Sequence, residues 1–476
     1  MSRSEPEEQH PSAAAAALRR GEPALAASFR LHRPRGAFCH AGWCQQCRVT
    51  LTDGRIALAC RTSEPLARGR GRWRRLLGRC AEGLPPWFHE HRLLAPPSLR
   101  QFYLERLRRL SAAPALPQGA LPISGRWRRR RTRLLIVGGG LAGLADARRA
   151  AEDGRDLLLL EAEPRLGGRA RFQPGCAAAL DDAVSKAVQL PHLAGTLCLG
   201  LYEQAREALA IGPEGPVLIS FDELVVATGA YDRLPGFAGN DLPGIVGLRA
   251  FERLAAVGAI PKEWRVGLFA DAGSAVEALA TGQRFAWIAG PGDLPAADVA
   301  RHPEATLVGA EGRGRVAAAR LDRGGALACD LLVLGFTQPS YELQMQAGQR
   351  AGLAGAPPVV LTEGEAVIPL RVVGEAAWQP AAPARMATRP APDSFLCFCE
   401  DVRRRDALAA IADGFADVEL LKRRTGAGTG PCQGKLCHGE MLACLAEAGR
   451  PLALPTVRPL LRPVPLAALA AGEPSP

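Results

Sequence analysis

The chain has 476 residues, a hydrophobic fraction of 47% and a formal charge of +11. This length predicts about three domains, large enough to bury cores without disulfides. The basic residues are nearly all arginine and the aromatic fraction is only 5%, so no stacking surface for nucleic acid is expected. No apolar run reaches the roughly 18 residues of a membrane span, and no secretory signal opens the chain. We therefore expect a cytoplasmic protein that reaches a membrane only through partners.

The first cysteine set lies in a short α/β segment at the N-terminus. A helix is predicted over Ser12–Arg20 and a hairpin over Cys47–Ala59 that turns on Asp53-Gly54. Its cysteines follow the pattern C-x4-C-x2-C, with a fourth after twelve intervening residues. This spacing is close to that of plant-type [2Fe–2S] ligands, because each turn can place two thiolates on one iron. The predicted ligands are Cys39, Cys44, Cys47 and Cys60.

An arm and linker are predicted between this segment and the next. A helix is expected over Leu99–Leu110, followed by a proline-bearing stretch at Ala113–Ser124. Two arginine-rich runs, Arg68–Arg79 and Arg126–Arg133, flank the domain edges instead of lying in a nucleic-acid-binding motif. We interpret them as solvated linker or as docking surface for a partner subunit.

A dinucleotide-binding unit follows. The apolar strand Arg133–Val137 runs into GGGLAG, a helix extends to about Asp153, and a second apolar strand, Leu157–Leu160, ends at an acid. The glycines permit a tight turn, the approach of a pyrophosphate and close packing of helix on strand, and the acid accepts from ribose hydroxyls. The residues with these roles are Gly138, Gly140, Gly143 and Glu161.

Three later segments favour FAD as the dinucleotide. PRLGGR follows the ribose acid, VVATGAYDR ends a buried strand, and the strand Leu370–Val373 leads into a glycine and an acid. These segments resemble those of two-dinucleotide flavoprotein reductases, in which the final acid, usually aspartate, contacts the ribitol–phosphate portion of the flavin. The resemblance implies FAD contacts at Gly168, Arg169, Thr228, Gly229, Gly374 and Glu375.

The second nucleotide unit of such a reductase is degenerate here. Strand and helix patterns persist over Trp264–Leu279, but the loop Ala270–Ala275 lacks the first two glycines and carries Asp271. A carboxylate there would repel a pyrophosphate, so NAD(P) binding is not expected. No cysteine pair follows Gly167-Gly168, which argues against a flavin–disulfide relay.

The second cysteine set lies near the C-terminus. A C-x-C pair and a C-x4-C pair are separated by 32 residues, with glycines around them, and a second [2Fe–2S] cluster is predicted. The ligands are Cys397, Cys399, Cys432 and Cys437. Structural zinc is the alternative for either set, although C-x4-C-x2-C matches zinc pairs poorly. The other cysteines are expected to serve packing: Cys80, Cys176, Cys198, Cys329 and Cys444.

Together these motifs resemble the α subunits of bacterial multisubunit amino-acid oxidases and dehydrogenases. That group includes hydrogen cyanide synthase, octopine and nopaline oxidase, D-hydroxyproline dehydrogenase and, more distantly, heterotetrameric sarcosine oxidase. The most specific segments are CFCEDV and LLKRRTGAGTGPCQGKLC, which look like a [2Fe–2S] domain of the bacterioferritin-associated-ferredoxin type; DLLVLGFTQPSYEL and NDLPGIV also match. The likeness extends from about residue 30 to residue 440.

The resemblance implies an α/β fold with a two-dinucleotide, Rossmann-like flavoprotein core, an N-terminal β-grasp-like domain and a small C-terminal helical domain. In that family the ferredoxin-like part is often a separate small subunit, whereas here it is fused, without its usual N-terminal hairpin. The predicted domains are 1–80 (ferredoxin-like), 81–131 (arm and linker), 132–390 (FAD domain, with the degenerate NAD subdomain at about 250–340), 391–450 ([2Fe–2S]) and 451–476 (tail).

The resemblance also implies an oxidoreductase subunit that passes electrons through FAD and two [2Fe–2S] clusters. A separate β subunit, built like D-amino-acid oxidase, would oxidise an amino acid or opine, and a downstream acceptor would take the electrons. No catalytic residue is therefore assigned to this chain, and its substrate cannot be read from it. Two alternatives stay open: a stand-alone NAD(P)H-dependent ferredoxin or nitrite-type reductase, and a scaffold subunit without flavin.

Overall fold

The computed structural model describes most of the chain outside the predicted arm. The described residues are 11–66 except 29 and 32, then 96, 98–99, 101–102, 127–348, 368–377, 387–453, 455–464 and 466–469. The run Arg68–Arg79 and most of the arm helix predicted over Leu99–Leu110 lie outside them. Among the described helices, none combines the length and apolarity that crossing a membrane requires.

The N-terminal unit has the predicted helix and hairpin. Ser12 caps the first helix by accepting from the Ala15 amide at 3.2 Å. The hairpin strands pair antiparallel, and the first three cysteines lie in the loop before them. The elements are α1 (Ala13–Arg19), β1 (Ala26–Ala27), β2 (Pro34–Arg35), β3 (Arg48–Thr50) and β4 (Ile56–Leu58).

The larger sheet contains the predicted dinucleotide-binding unit. Its elements are β5 (Arg128–Val137), α2 (Leu141–Glu152), β6 (Leu157–Leu160), α3 (Ala177–Ala187), β7 (His192–Leu193), β8 (Leu197–Tyr202), β9 (Glu207–Gly212) and β10 (Gly215–Val226). The strand order is β7-β6-β5-β10-β9-β8, parallel from β7 to β10 and antiparallel beyond it. The parallel part places α2 after β5 at the sheet's carboxyl edge, where nucleotides bind in such sheets.

Strand β5 begins earlier than the sequence pattern predicts. Arg128–Arg131, assigned to linker from their charge, pair in parallel with Val217–Ser220 of β10. Arg131 forms an ion pair with Asp222 at 3.2 Å, and Arg128 pairs with Glu214. Strand pairing and nearby acids therefore override the polar composition, and the core sheet extends into the predicted linker.

The second lobe has a parallel sheet of order β12-β19-β13-β14-β15 beside a small antiparallel sheet, β16-β17-β18. The elements are β11 (Ala230–Asp232), β12 (Ile245–Gly247), α4 (Leu248–Ala256), β13 (Val266–Ala270), α5 (Ala272–Leu279), β14 (Trp287–Ala289), β15 (Ala300–His302), β16 (Leu307–Glu311), β17 (Ala318–Leu321), β18 (Ala326–Ala328), β19 (Leu331–Gly335), β20 (Thr337–Pro339), α6 (Glu342–Gln346) and β21 (Leu370–Val372). Strand β21 returns to pair with β10 in the larger sheet.

The C-terminal unit is helical, as predicted. A short hairpin precedes three helices that pack around Leu421, Met441 and Leu445. The tail then returns to the larger sheet, where the Leu461 amide donates to the Leu199 carbonyl at 2.7 Å. The elements are β22 (Phe395–Cys397), β23 (Val402–Arg403), α7 (Arg404–Ala412), α8 (Val418–Thr425), α9 (His438–Glu447) and α10 (Leu466–Leu469).

Candidate cofactor sites

The four thiols of the first set are buried and linked to one another. Cys39 accepts hydrogen bonds from the thiols of Cys44 and Cys60, and Cys60 also bonds to Cys47. The Cys39 sulfur further accepts from the amides of Ala41 and Cys44, both at 3.4 Å. Although burial opposes the charge, these hydrogen bonds hold the pKa of the Cys39 thiol well below its ordinary value.

The second set has the same arrangement of thiols. Hydrogen bonds from Cys399 and Cys437 hold the pKa of the Cys397 thiol well below its ordinary value, and Cys399 bonds to Cys432 as well. Gly430 makes this contact possible, because a Cβ at that position would lie 2.2 Å from the Cβ of Cys399. The loop therefore requires glycine next to a predicted ligand.

Both sets fit a [2Fe–2S] cluster by the chemistry of their donors. Each offers four linked thiols around one sulfur that amide groups stabilise as thiolate, which is the ligand and hydrogen-bond pattern such clusters use. Four thiolates are also a zinc ligand set, so that alternative shares the same donors. In the described part of the chain, no three thiol, imidazole or carboxylate groups have the arrangement of a single-ion site.

A cavity of about 480 Å³ lies at the carboxyl edge of the larger sheet. This volume is in the range of small-molecule and cofactor sites. All the residues predicted to contact FAD, except Gly143, line it: Gly138, Gly140, Glu161, Gly168, Arg169, Thr228, Gly229, Gly374 and Glu375. The structure therefore brings together segments that are more than 200 residues apart in the sequence.

The glycine loop fits a dinucleotide. A Cβ at Gly138 would lie 2.2 Å from the Ala227 carbonyl oxygen, and one at Gly143 would lie 1.9 Å from the Gly138 carbonyl oxygen. At Gly140, by contrast, a Cβ would meet no atom within 4 Å, because this residue faces the cavity at the start of α2. Backbone amides at a helix N-terminus and an open approach are what a pyrophosphate needs.

Glu161 lies at the end of β6, beside the glycine loop. Its two carboxylate oxygens accept from the amides of Gly139 and Glu163, both at 2.7 Å. Burial raises the pKa of Glu161 although these amides favour its charged form. Because a carboxylate oxygen can accept more than one hydrogen bond, the residue can still receive a ribose hydroxyl.

Arg169 and Glu375 belong to an ion-pair network at one end of the cavity. Arg169 contacts Glu252 at 2.7 Å, Glu277 at 2.6 Å and Glu375 at 2.9 Å. Arg249 adds a second guanidinium to Glu375, at 2.8 Å. Burial opposes the charge, but these two arginines hold the pKa of Glu375 below its usual range. Glu375 therefore stays ionised, and its negative charge toward the cavity is balanced by the two arginines.

The cavity wall also contains residues that the sequence reading missed. Trp43, next to Cys44, packs on Tyr231 with ring centroids 4.9 Å apart, and both rings line the cavity. On the other side Lys435, between Cys432 and Cys437, also lines it and pairs with buried Glu342 at 3.4 Å. A tryptophan within C-x4-C and a lysine within C-x4-C were the available signals, but neither spacing shows what the side chain faces.

In the degenerate loop of the second lobe, the side chain of Asp271 occupies the N-terminus of the following helix. Asp271 caps helix α5, since its carboxylate accepts from the Ser274 amide at 2.8 Å and the Ser274 hydroxyl at 3.2 Å. This helix N-terminus is where a nicotinamide dinucleotide would place its pyrophosphate. The position is taken by a carboxylate that accepts from one of the amides at this helix N-terminus.

Three family models match parts of the chain. The model described as the sarcosine oxidase A3 domain matches residues 391–473. An NAD(P)-binding Rossmann-like domain matches residues 136–179, which contain the glycine loop. A 2Fe-2S iron-sulfur cluster binding domain matches residues 8–65, which contain the first cysteine set.

Individual proteins match in sequence or in fold. The sarcosine oxidase subunit alpha of Corynebacterium sp. (strain P-1) is 35% identical over 139 residues, which are 24% of this chain and 14% of that protein. Hydrogen cyanide synthase subunit HcnB of Pseudomonas aeruginosa is 43% identical over 56 residues, 12% of each chain. The chain thus matches only a small part of these curated relatives.

One solved structure matches over nearly the whole chain. L-proline dehydrogenase from P. horikoshii superposes with a TM-score of 0.70 at 18% identity, covering 96% of this chain and 94% of that one. The two chains therefore share a fold, a Rossmann-like core with flanking units. The predicted resemblance is confirmed: the chain is similar to the sarcosine oxidase subunit alpha and to HcnB, and it matches the models of the sarcosine oxidase A3 domain and of a 2Fe-2S cluster binding domain.

Proposed function

We propose that this chain is the electron-transfer subunit of a multisubunit dehydrogenase or oxidase that acts on an amino acid or opine. FAD would bind at the Gly138 loop, and each cysteine set would hold one [2Fe–2S] cluster. The observation that carries the proposal is the composition of the cavity wall. Cys39 and Trp43 from the first cysteine loop and Lys435 from the second line the same cavity as the glycine loop.

This juxtaposition supports electron relay for a chemical reason. FAD supplies the exchange between two-electron hydride chemistry and single-electron steps, and a [2Fe–2S] cluster carries one electron at a time. The chain's own residues hold these groups together and exclude water. At the cavity wall, buried Trp43, next to Cys44, packs on Tyr231, and Lys435, three residues after Cys432, pairs with Glu342.

The same geometry argues against a stand-alone nicotinamide-dependent reductase. The Asp271 carboxylate occupies the helix N-terminus that such an enzyme needs for its dinucleotide. Electrons would therefore enter from a partner, for which we propose a flavoprotein subunit built like D-amino-acid oxidase, and would leave to a downstream acceptor. The family resemblance supports this partner. A second argument is that every recognisable segment of the chain is accounted for by cofactor binding, so that no unit remains for an amine substrate.

The test is the cofactor content and activity of anaerobically purified protein. We expect about four iron and four labile sulfides per chain, together with one FAD. Amino-acid-dependent dye reduction should be absent from the isolated chain and appear on co-expression with the partner subunit. Stoichiometric zinc without labile sulfide, or activity of the chain alone, would contradict the proposal.

Two further outcomes distinguish the alternatives. NADH and NADPH should bleach the flavin band slowly or not at all at sub-millimolar concentration. Rapid bleaching by either nucleotide would make the stand-alone reductase the better interpretation. Iron and sulfide without flavin, in protein that still supports the partner's activity, would instead favour a scaffold subunit.

A further inference from the structure

One buried residue, Gln46, contacts both cysteine sets. This glutamine lies between Cys44 and Cys47 and is only 4% exposed. Its backbone amide donates to the sulfur of Cys44, and its side-chain Nε2 lies 3.7 Å from the sulfur of Cys399. A single residue therefore donates hydrogen bonds to thiols of both sets.

Two arginines hold the loops on which this contact depends. Arg33 donates to the carbonyl of Phe398 at 2.6 Å and forms a buried ion pair with Asp401 at 2.8 Å. Arg35 donates to the carbonyl of Cys399 at 3.0 Å. The backbone that carries Cys399 is thus fixed to the N-terminal unit on both sides of the sulfur.

The surrounding apolar packing shields the contact from most water, with Gln46 buried and Cys399 partly buried. Phe38, Trp43 and Cys44 share one hydrophobic cluster with Phe395, Phe398 and Cys432, and Cys399 packs against it. A hydrogen bond to a charged group is stronger in such a low-dielectric environment than at the surface. The Oε1 atom of Gln46 has no hydrogen-bond partner among the described atoms. This cost indicates that the position is held for its donors.

We propose that Gln46 is a positioning residue that couples the two iron–sulfur centres and raises the reduction potential of the C-terminal one. The inference rests on the proposed function, since it requires both centres. Reduction adds negative charge to a cluster and its ligands, so a donor to the Cys399 sulfur stabilises the reduced form. Because Gln46 contacts predicted ligands of both centres, electrons would pass directly between them. Because the raised potential favours the reduced form, the C-terminal centre would hold an electron longer.

The experiment is a redox titration of the full-length protein followed by electron paramagnetic resonance. In Gln46→Leu, the ratio of reduced to oxidised C-terminal centre at a given poise should fall about tenfold, as expected for loss of a hydrogen bond to a charged group. For a one-electron couple this corresponds to a shift of about 59 mV to lower potential. Gln46→Asn, whose amide is one methylene too short to reach Cys399, should show the same direction of shift.

Gln45→Leu is the matched control. Gln45 is the neighbouring residue, but its amide donates to the Gly42 carbonyl at 2.8 Å and not to a sulfur. This variant should keep the wild-type potential of the C-terminal centre. An equal shift in Gln45→Leu, or no shift in either Gln46 variant, would overturn the inference.

A second measurement on the wild-type protein tests the contact without any substitution. When both centres are reduced, their signals should broaden each other through magnetic interaction, because one residue, Gln46, donates to a predicted ligand of each centre. Two independent, unbroadened signals would overturn the inference while leaving the proposed function intact. If wild-type protein lacks one of the two signals altogether, the proposed function fails as well.

Discussion

Two cysteines of the C-terminal unit, Cys432 and Cys444, are both buried but have different neighbours. Cys432 bonds to Cys399 within the second set. Cys444 lies on α9, where its sulfur accepts from Arg404 at 3.2 Å and burial raises the pKa of its thiol to about 12. We therefore propose the first as a cluster ligand and the second as a packing residue.

This difference makes a paired prediction. Cys432→Ser should remove the signal of the C-terminal centre and about two of the four irons, and should leave the N-terminal signal unchanged. Cys444→Ser should keep both signals and the full iron content. Iron and sulfide analysis with paramagnetic resonance makes the comparison. Equal loss in the two variants would mean that the C-terminal unit, and not a ligand, had been damaged.

Substitution of two glycines allows a similar paired comparison for FAD binding. Both Gly140 and Gly175 have room for a Cβ, but only Gly140 faces the cavity. Gly140→Glu should place a carboxylate where the pyrophosphate belongs and abolish FAD binding, whereas Gly175→Glu should retain it. Extraction and quantification of flavin checks this, with iron content as the measure of intact folding.

The complex with the proposed partner subunit extends that prediction. Substrate should still bleach the partner's flavin in one turnover when this chain carries Gly140→Glu, but steady-state dye reduction should stop. Dye reduction at the wild-type rate would show that the FAD of this chain is not on the electron path.

Among the elements, helix α5 depends most visibly on one side chain. Asp271→Ala removes the cap and should lower the free energy of unfolding by about 1 kcal/mol, while Asp271→Asn keeps an accepting oxygen and should cost much less. Neither variant should gain rapid reduction by NADH, because the first two glycines of the loop are still missing. Urea unfolding and the flavin band provide the two measurements. Rapid NADH reduction of either variant would identify Asp271 as the only barrier to the nucleotide.

Elements with a strong local pattern could be predicted from the sequence. The structure has the predicted strand Leu157–Leu160 and the predicted hairpin that turns on Asp53-Gly54, because apolar runs and turn residues specify them locally. The start of β5 was not, since its arginines are stabilised by acids on β9, β10 and their connection, which no local pattern reveals.

The candidate site divides in the same way. Ligand spacing and glycine loops are local, and they located the cysteine sets and the cavity-lining residues. The contact of Trp43 with Tyr231 joins segments about 190 residues apart, and that of Gln46 with Cys399 joins segments 353 residues apart. Such pairs depend on how the units dock, so a single sequence carries no signal for them.

At the scale of the whole molecule, the N-terminal and C-terminal units are joined by a buried ion pair. The side chains of Arg33 and Asp401 are 7% and 1% exposed, and Asp401 also accepts from the amides of Arg30 and Leu31. Arg33→Met leaves that carboxylate buried without its cation and should cost about 3–5 kcal/mol. Urea unfolding of the apoprotein measures the loss.

Arg55→Met serves as the matched control. Arg55 also pairs with carboxylates, Asp53 and Glu64, but all three side chains are about half exposed. Its replacement should change the free energy of unfolding by no more than about 1 kcal/mol. Similar losses in the two arginine variants would mean that the buried pair contributes nothing specific to docking.

The presence of both cysteine sets on one polypeptide also determines how their contact responds to dilution. Where two such units are separate proteins, the contact forms only as often as their concentrations allow. A covalent connection replaces those concentrations by a fixed local one that does not change on dilution. Transfer across the Gln46–Cys399 contact would then be a first-order event, equally fast in a dilute assay and in the cell. The N-terminal unit would serve this one complex and would not exchange between complexes as a free carrier.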